Sequence, residues 1–458
     1  MRKQIALLAC KAARVVGKWI GKGSSMPGRI ALKIDPNILS KIKMPPYIVA
    51  VTGSNGKTST VEMIASILKS ANKKFSYNSE GSNQIEGVTT FILNDCTLSG
   101  KVKSEILLIE SDERFAKHTF RYFSPTHYVI TNLYRDQLTR NGHPEWVFDS
   151  IKESIPNDTT LILNADDPLV SCFSVGHEKV LWFGADKLSI STEICTSIYN
   201  DGKYCPHCKA LMKYEYYHYN HIGCYKCSAC GLKRHDTQFT VIDADLQNGS
   251  VTISAGGQET KVSLAFSSIY SVYNTLAAFS VSSILGIDRK ITEKSINHYI
   301  SQNGRVQTFT LGGHHGTLLT SKHENSISYD QSLRVVASSD TDCVVLIIVD
   351  AISRKYFTSE TSWLFDIDFE LLHCDTVKKI VLSGRYAYDL AVRFEYCGIA
   401  SDRIAVIPTI KEAVLSIKKQ PIDRIYTITC FSDKSKFLSL VQTDHLPSEA
   451  EKEKTACK

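Results

Sequence analysis

A short stretch near residue 50 carries the residues best suited to hold a nucleotide. An apolar run at 47–51 predicts a buried strand, and residues 61–68 predict a helix. Between them lies Thr52-Gly-Ser-Asn-Gly-Lys-Thr58, in which the two glycines are closer together than in the general phosphate-binding loop. In a strand–turn–helix unit, backbone N–H groups and the helix N-terminus face a phosphate, and a lysine adds charge. We therefore predict ATP contacts from the following loop residues: Gly53, Asn55, Gly56, Lys57, Thr58 and Ser59.

Acidic residues that follow a predicted strand supply partners for a metal-bound nucleotide. The strand predicted at 106–109 runs directly into Glu110-Ser-Asp-Glu113. In α/β proteins, ligands bind at the carboxyl ends of parallel strands, and Mg²⁺ combines a few protein oxygens with phosphate oxygens. We therefore predict that Thr58, Glu110 and Glu113 ligate Mg²⁺. The alternative for the two glutamates is a solvated acidic turn.

Four cysteines form a second chemical pattern. Cys205-Pro-His-Cys208 and Cys227-Ser-Ala-Cys230 are two C-x-x-C pairs separated by residues 209–226. Two such pairs can bring four thiolates into the tetrahedral arrangement of a zinc site. Because protein ligands fill all four positions, we expect a structural Zn²⁺ held by Cys205, Cys208, Cys227 and Cys230. A redox dithiol is the alternative.

Composition limits the class of protein. Of 458 residues, 43% are hydrophobic and 22% are charged, as in ordinary globular proteins. A net charge of +6 is too small to indicate a nucleic-acid partner, and we expect none. The longest apolar runs have the length of a strand rather than of a membrane span. The single cysteines scattered along the chain are typical of reduced thiols, so we expect a cytoplasmic location.

The first 33 residues are strongly basic. They include Arg2, Lys3, Lys11 and Arg14, and none of them is acidic. We expect an amphipathic helix that packs on the next domain. The alternative is a helix that rests on an anionic membrane surface, which would make the chain peripheral to the inner face of the membrane.

Strand and helix patterns alternate from residue 47 to about 300 and again after it, which predicts an α/β fold. Strands of the second stretch are expected near 346–349, 379–382, 403–407 and 424–428. We divide the chain into five parts: a basic helical segment at 1–45, a central parallel-sheet domain at 46–300, a zinc ribbon inserted in it at 204–233, a smaller C-terminal α/β domain at 301–445, and a charged, disordered tail at 446–458.

Taken together, these segments resemble the Mur ligases, and among them the MurT-type subunits of lipid II isoglutaminyl synthase. The resemblance runs from about residue 1 to residue 440. Beyond the phosphate loop, the acidic segment and the ribbon, it includes the segments 78–83, 131–137, 164–168, 303–305, 361–363 and 383–386. The cysteine ribbon and Arg135-Asp-Gln137 separate this type from the amino-acid-adding ligases.

The resemblance implies a Mur-ligase-like fold and a specific reaction. The central and C-terminal domains would clamp ATP and Mg²⁺, with Asn274 and Arg305 added to the ATP site. From the residues alone, Arg305 would instead be a solvated linker charge. The γ-phosphate would pass to the α-carboxylate of D-glutamate in the lipid II stem peptide, giving an acyl phosphate. Ammonia would then convert this carboxyl group to the amide of D-isoglutamine.

The resemblance also implies a partner. Ammonia would come from a glutaminase of the class I glutamine amidotransferase type, which forms a heterodimer with the ligase subunit. An acidic residue just before Thr-Ser-Trp would orient the catalytic histidine of that glutaminase. Here this residue is Glu360, where the family has Asp.

Several segments depart from the family pattern, chiefly in the second half. Residues 321–326 and 427–432 differ, as do Ser268 and Ser271, which replace Gly and Asn. Two alternative functions therefore stand beside the amidating ligase. One is another Mur-type carboxylate–amine ligase, and the other is a non-catalytic ATP-binding scaffold subunit.

Overall fold

The computed structural model describes residues 1–19, 23–78, 82–135, 143–300, 306–351 and 360–443. The described residues up to 300 form one compact unit, and those from 306 onward form a second. The helices of the first unit are α1 (Arg2–Trp19), α2 (Met26–Ile34), α3 (Lys57–Ser70), α4 (Ile85–Asp95), α5 (Ala116–Phe120), α6 (Pro144–Lys152), α7 (Pro168–Ser171), α8 (Ile269–Ile284) and α9 (Arg289–Asn297).

The first unit is built on a nine-stranded sheet with the strand order β11-β10-β9-β6-β5-β4-β1-β3-β2. Strands β7 and β8 form a separate hairpin. The strands are β1 (Tyr47–Thr52), β2 (Phe75–Tyr77), β3 (Ile106–Glu110), β4 (His127–Ile130), β5 (Thr160–Asn164), β6 (Val180–Ala185), β7 (Met212–Tyr219), β8 (Ile222–Cys227), β9 (Phe239–Asp245), β10 (Ser250–Ala255) and β11 (Gln258–Ser263).

The sheet is parallel from β2 to β9, as predicted. Its central strands β1, β3 and β4 are almost wholly buried, which is typical of a parallel sheet covered on both faces. The sequence did not predict the antiparallel edge formed by β9, β10 and β11. Along β10, buried residues alternate with half-buried ones, as in a strand with one solvated face. Gly256 and Gly257 both adopt positive φ in the turn to β11, which suits a tight hairpin.

Helix α1 packs on the first unit against α2 and α4. Its Ala6, Leu7 and Cys10 are fully buried in the core of this unit. Two cations of α1, one before and one after these buried residues, bind neighbouring helices. Arg2 Nε donates to Ile34 O at 2.6 Å, and Lys11 Nζ donates to Asn94 O at 2.9 Å. These carbonyl groups lie at the C-terminal ends of α2 and α4, where a helix attracts cations.

The chain leaves the sheet after β6 and returns to it at β9, so residues 186–238 form one connection. This connection contains the β7–β8 hairpin and all four cysteines of the predicted ribbon. Because β6 and β9 are parallel neighbours, the connection must carry the chain from one end of the sheet to the other. The ribbon thus occupies the place usually taken by a crossover helix.

The second unit is a seven-stranded sheet with the order β16-β15-β14-β17-β13-β12-β18. Its elements are β12 (Val306–Leu311), β13 (His314–Ser321), α10 (Ser326–Ala337), β14 (Cys343–Ile348), β15 (Val377–Ser383), α11 (Ala387–Glu395), β16 (Ile404–Val406), α12 (Ile410–Lys418), β17 (Arg424–Cys430), α13 (Phe431–Leu438) and β18 (Gln442–Thr443). The four strands predicted from the sequence correspond to β14, β15, β16 and β17. The β12–β13 hairpin and β18 were not predicted, and the tail at 446–458 lies outside the described residues.

No helix in the described ranges has both the length and the apolar composition that crossing a bilayer requires.

The β12–β13 pair leads to a prediction about stability. Gly316 lies opposite Phe309, and a Cβ at Gly316 would come within 2.2 Å of the Phe309 ring. That ring is buried edge-on against Phe437, so it has little room to move. We expect Gly316→Ala to lower the free energy of unfolding by about 1–3 kcal/mol, measured by denaturant titration. In a Phe309→Leu background, Gly316→Ala should lower the free energy of unfolding by less. Equal stability of Gly316→Ala and wild type would contradict the packing argument.

Candidate functional site

The predicted phosphate loop joins β1 to α3 through a turn that requires glycine. Gly53 and Gly56 have φ values of 134° and 85°, which side chains rarely adopt. Gly56 is also the N-cap of α3. A Cβ at Gly56 would lie 2.1 Å from Asn274 Oδ1, on α8. The structure thus brings Asn274 to the loop, and any side chain at residue 56 would collide with it.

Residues that follow β4 hold the loop from one side. Asn132 Oδ1 accepts a hydrogen bond from Asn55 N at 2.8 Å, and Asn132 Nδ2 donates to Asn55 O at 3.1 Å. Thr131 Oγ1 donates to the same carbonyl oxygen at 2.8 Å. Ser54 N donates to Asn132 O at 2.9 Å. These contacts fix the Asn55 peptide, since both its N–H and its C=O are engaged.

The predicted lysine and one glutamate form a buried ion pair beside the loop. Lys57 and Glu113 are 8% and 4% exposed, and Lys57 Nζ contacts Glu113 Oε1 directly. The same ammonium group donates to Gly53 O at 2.5 Å. A buried ion pair needs such extra hydrogen bonds to offset the cost of leaving water. The positive charge of Lys57 is therefore fixed at the start of α3.

Two of the three predicted magnesium ligands, Thr58 and Glu110, lie side by side, whereas Glu113 is paired with Lys57. Thr58 Oγ1 and Glu110 Oε1 are 3.0 Å apart. Adjacent ligands of an octahedral Mg²⁺ are separated by about 2.9 Å, because Mg–O distances are about 2.1 Å. Asn78 braces Glu110, since its side chain donates to Glu110 O at 2.9 Å and accepts from Glu110 N at 2.8 Å. The oxygen atoms present fit a magnesium ion.

The remaining predicted site residues lie in the first turn of α3, in the second unit or outside the described residues. Ser59 lies in the first turn of α3 and is half-buried. Arg305 and the family segment 136–137 lie outside the described residues, as do residues 79–81. Glu360 belongs to the second unit.

The four ribbon cysteines form one cluster. All four Sγ atoms lie within 4.8 Å of one another, with 3.6 Å between Cys205 and Cys230 and 3.4 Å between Cys208 and Cys227. Ligand sulfurs of a tetrahedral zinc are about 3.8 Å apart, because Zn–S bonds are about 2.3 Å. The amide N–H groups of Cys230 and Ala229 donate to Cys227 Sγ and lower its pKa to about 6. The donor set therefore fits Zn²⁺, with at least one thiol predisposed to ionise.

A buried carboxylate fastens the end of the ribbon to the sheet and to α8. Asp166 Oδ1 accepts from Arg234 Nε at 2.6 Å. Asp166 Oδ2 accepts from Ala185 N and from the Tyr273 hydroxyl, each at 2.7 Å. The sequence showed Asp166 only as part of the family segment 164–168 and did not indicate its partners, because Arg234 and Tyr273 are distant in the chain.

Glu360 lies just before the short helical turn Ser362–Asp366 and is exposed. Its Oε1 accepts a hydrogen bond from Ser362 N at 2.6 Å, which holds the pKa of the carboxyl group below its ordinary value. Trp363 is buried next to Tyr329 and anchors this turn. Glu360 is therefore an ionised, accessible carboxylate on a fixed support.

Known proteins match this chain over nearly its whole length. The Mur ligase middle-domain family matches residues 51–205, and the MurT ligase C-terminal family matches residues 323–433. The lipid II isoglutaminyl synthase (glutamine-hydrolyzing) subunit MurT of Staphylococcus aureus strain COL is 32% identical over 85% of this chain and 86% of that protein. The chain belongs to the MurT family of Mur ligases. The MurT subunit from Streptococcus pneumoniae strain R6 is 28% identical over 96% of this chain and 97% of its own length.

Solved structures confirm the Mur-ligase fold of this MurT family member. A pseudomurein peptide ligase type C from Methanothermus fervidus superposes with a TM-score of 0.69 at 21% identity, covering 88% of this chain and 79% of that one. MurF from Acinetobacter baumannii gives a TM-score of 0.64 at 16% identity, with 90% and 80% covered. At these identities the likeness concerns the fold alone.

The Asn132 contacts generate a test of loop support. Asn132→Ala removes both side-chain hydrogen bonds to Asn55, each worth about 1 kcal/mol, so local opening becomes easier. We expect amide hydrogen exchange in residues 53–56 to accelerate roughly fivefold or more, measured by mass spectrometry on overlapping peptides. Asn132→Asp keeps the acceptor for Asn55 N but sets a carboxylate oxygen against Asn55 O, so it should not restore the slow exchange of wild type. Unchanged exchange in the alanine variant would show that the loop does not depend on Asn132.

Proposed function

We propose that this chain is the ligase subunit of a lipid II isoglutaminyl synthase. It amidates the α-carboxylate of D-glutamate in the stem peptide of lipid II, at the expense of ATP. The proposal rests on one observation above all: a chain related to MurT subunits over most of its length keeps Lys57, Thr58, Glu110 and Glu113 together at a phosphate loop. An ATP-binding scaffold would keep these residues as well, so the activity assay described below separates the two functions.

The loop residues supply the groups that ATP requires. Gly53 and Gly56 allow phosphates to approach the backbone, and the first N–H groups of α3 lie beside them. Lys57 adds a fixed positive charge, and Asn55 and Asn274 contribute polar side chains at the rim of the loop. Thr58 and Glu110 would hold Mg²⁺, with Glu113 as a further oxygen donor. When bound there, Mg²⁺ neutralises charge on the phosphate oxygens.

The proposed reaction has two steps. An oxygen of the D-glutamate α-carboxylate attacks the γ-phosphorus of ATP, the bond to ADP breaks, and an acyl phosphate forms. Ammonia then attacks the acyl carbon, phosphate leaves with the bonding electron pair, and the nitrogen loses a proton to give a primary amide. Phosphoryl transfer of this kind is accelerated mainly by positioning the reactants and by stabilising negative charge on the phosphate. Lys57 provides a positive charge at the phosphate loop.

The ammonia comes from a partner glutaminase of the class I glutamine amidotransferase type, which forms a heterodimer with this chain. Glu360 orients the catalytic histidine of that partner. Its exposure and its lowered pKa support this role, because an imidazole N–H needs an accessible, ionised acceptor. The hydrogen bond to Ser362 N occupies Oε1, so the second carboxylate oxygen is the one offered to the histidine.

We propose that the reaction takes place at the cytoplasmic side of the membrane, because the acceptor is lipid-linked and ATP is consumed. The chain then works next to the bilayer surface that carries its substrate. Nucleic acid has no part in the proposed reaction.

The ligase assignment predicts a pattern of activity. Mass spectrometry would follow conversion of lipid II by this chain and its glutaminase with ATP and Mg²⁺, using either glutamine or free ammonia. We expect Glu360→Ala to abolish amidation with glutamine and to retain it with ammonia, because only the partner's triad is broken. Glu360→Asp should keep part of the glutamine-dependent rate.

The assay also separates the alternatives. Lys57→Ala should lose amidation with either nitrogen source, since the phosphate contact is common to both. If wild type converts no lipid II even with free ammonia while still binding ATP, the chain is a scaffold rather than a ligase.

We further propose that the ribbon cysteines hold one structural Zn²⁺. The apolar core of the ribbon consists of Cys205, Met212, Tyr225 and Cys227, which is too small to hold a hairpin together unaided. We expect elemental analysis to find about one zinc per chain. Cys208→Ser should lower the zinc content and the thermal stability, because a ligand is lost.

Cys224→Ser is the matched control for this prediction. Cys224 lies in β8 of the same ribbon but outside the four-sulfur cluster, so its replacement should leave zinc content unchanged. Equal zinc contents in all three proteins, or no zinc in wild type, would contradict the proposed site.

A further inference from the structure

Helix α1 exposes an apolar face to solvent. Ile5, Leu8, Val15 and Val16 are 51%, 53%, 62% and 59% exposed, respectively. At about 100° per residue, these four side chains fall within an arc of about 100° on one side of the helix. The helix thus presents a continuous apolar stripe, which we call the α1 stripe.

The α1 stripe is not the face that holds the helix in place. Ala6, Leu7 and Cys10 lie on the other side of α1 and are fully buried against the first unit. A surface helix normally pairs one apolar face with a polar one. Here both the packed and the outer faces are apolar, which is typical of a helix with a second apolar partner.

The charges around the stripe identify that partner. On a helical projection, Lys11 borders the stripe on one side and Arg2 on the other. Both side chains donate to main-chain carbonyl oxygens, and Asp95 also interacts electrostatically with Lys11. Arg29 and Lys33 on α2 are exposed, and residues 1–33 contain no acidic residue. An apolar stripe flanked by cations and by the neutral Gln4 is complementary to anionic lipid headgroups above acyl chains.

We propose that the α1 stripe docks this protein onto an anionic phospholipid surface. The helix lies parallel to the bilayer, with Ile5, Leu8, Val15 and Val16 inserted between headgroups and the flanking cations near the phosphates. This surface binds lipid whether or not the chain amidates lipid II, so it goes beyond the proposed function. It would bring the ligase subunit to the surface where a lipid-linked acceptor lies.

The test uses the full chain and vesicles that contain neither lipid II nor ATP. Vesicles of phosphatidylcholine with phosphatidylglycerol provide the anionic surface, and pure phosphatidylcholine vesicles provide the neutral one. Co-sedimentation measures the bound fraction. We expect Ile5→Gln combined with Leu8→Gln to weaken binding to anionic vesicles roughly tenfold or more, and high salt to weaken wild-type binding.

Helix α11 offers a matched control. Its Tyr388 and Val392 are similarly exposed, but Asp389 and Glu395 lie on the same helix. Tyr388→Gln combined with Val392→Gln should sediment with anionic vesicles like wild type. Circular dichroism and thermal unfolding of both variants check that the fold is unchanged.

Three results would overturn the proposal. Wild type could stay in the supernatant with anionic vesicles, or bind neutral vesicles equally well, or the α1 variant could bind as wild type does. A change of oligomeric state in the α1 variant without lipid, together with unchanged vesicle binding, would instead identify a protein interface. Because no substrate is present, these outcomes are independent of the amidation assay.

Discussion

The carboxylate of Asp166 joins three parts of the first unit that are distant in the chain. It receives hydrogen bonds from the end of β6, from the ribbon through Arg234, and from α8 through Tyr273. The next residue on α8, Asn274, lies against Gly56 in the phosphate loop. Because Asp166 is fully buried, removing any of these donors would leave negative charge poorly compensated inside the protein. The Asp166 side chain therefore connects the end of the ribbon with the helix that reaches the nucleotide site.

Further hydrogen bonds join the segment that contains the ribbon to the rest of the first unit. Arg234 also donates to Ala185 O at 3.0 Å, so it closes the gap between the end of β6 and the end of the ribbon. Arg135 makes a similar link on the other side, where its guanidinium group binds Asp201 ahead of the cysteines. The connection that contains the ribbon is thus held to the rest of the first unit on both sides of the cysteines.

Local patterns predicted much of the fold and of the site. The phosphate loop, the acidic end of β3 and each C-x-x-C pair are short motifs. The residues within each motif are only a few positions apart, so their spacing in the sequence indicates their chemistry. The supports of these groups were not predictable in the same way. Asn132 reaches Asn55 only because β4 is next to β1 in the sheet, and Arg234 reaches Asp166 only after the ribbon has folded back. Such contacts follow from tertiary structure, which sequence spacing does not encode.

The divergent segments of the chain form ordered local structure. Ser268 is the N-cap of α8, and its hydroxyl accepts from Ser271 N at 3.2 Å. In the second unit, Asn325 caps α10 by accepting from Ser328 N at 2.7 Å, and His323 Nε2 lies 2.6 Å from Ser432 Oγ. These segments therefore take part in helix capping and in contacts between loops.

The position of the ribbon between β6 and β9 has a consequence for the order in which a nascent chain assembles. Strands β1 to β6 precede it and form most of the parallel sheet, whereas the antiparallel edge and α8 are synthesised after it. These later elements can join the sheet only once residues 186–238 have crossed from one end to the other. Asn274 therefore reaches the phosphate loop only in chains that have completed this crossing.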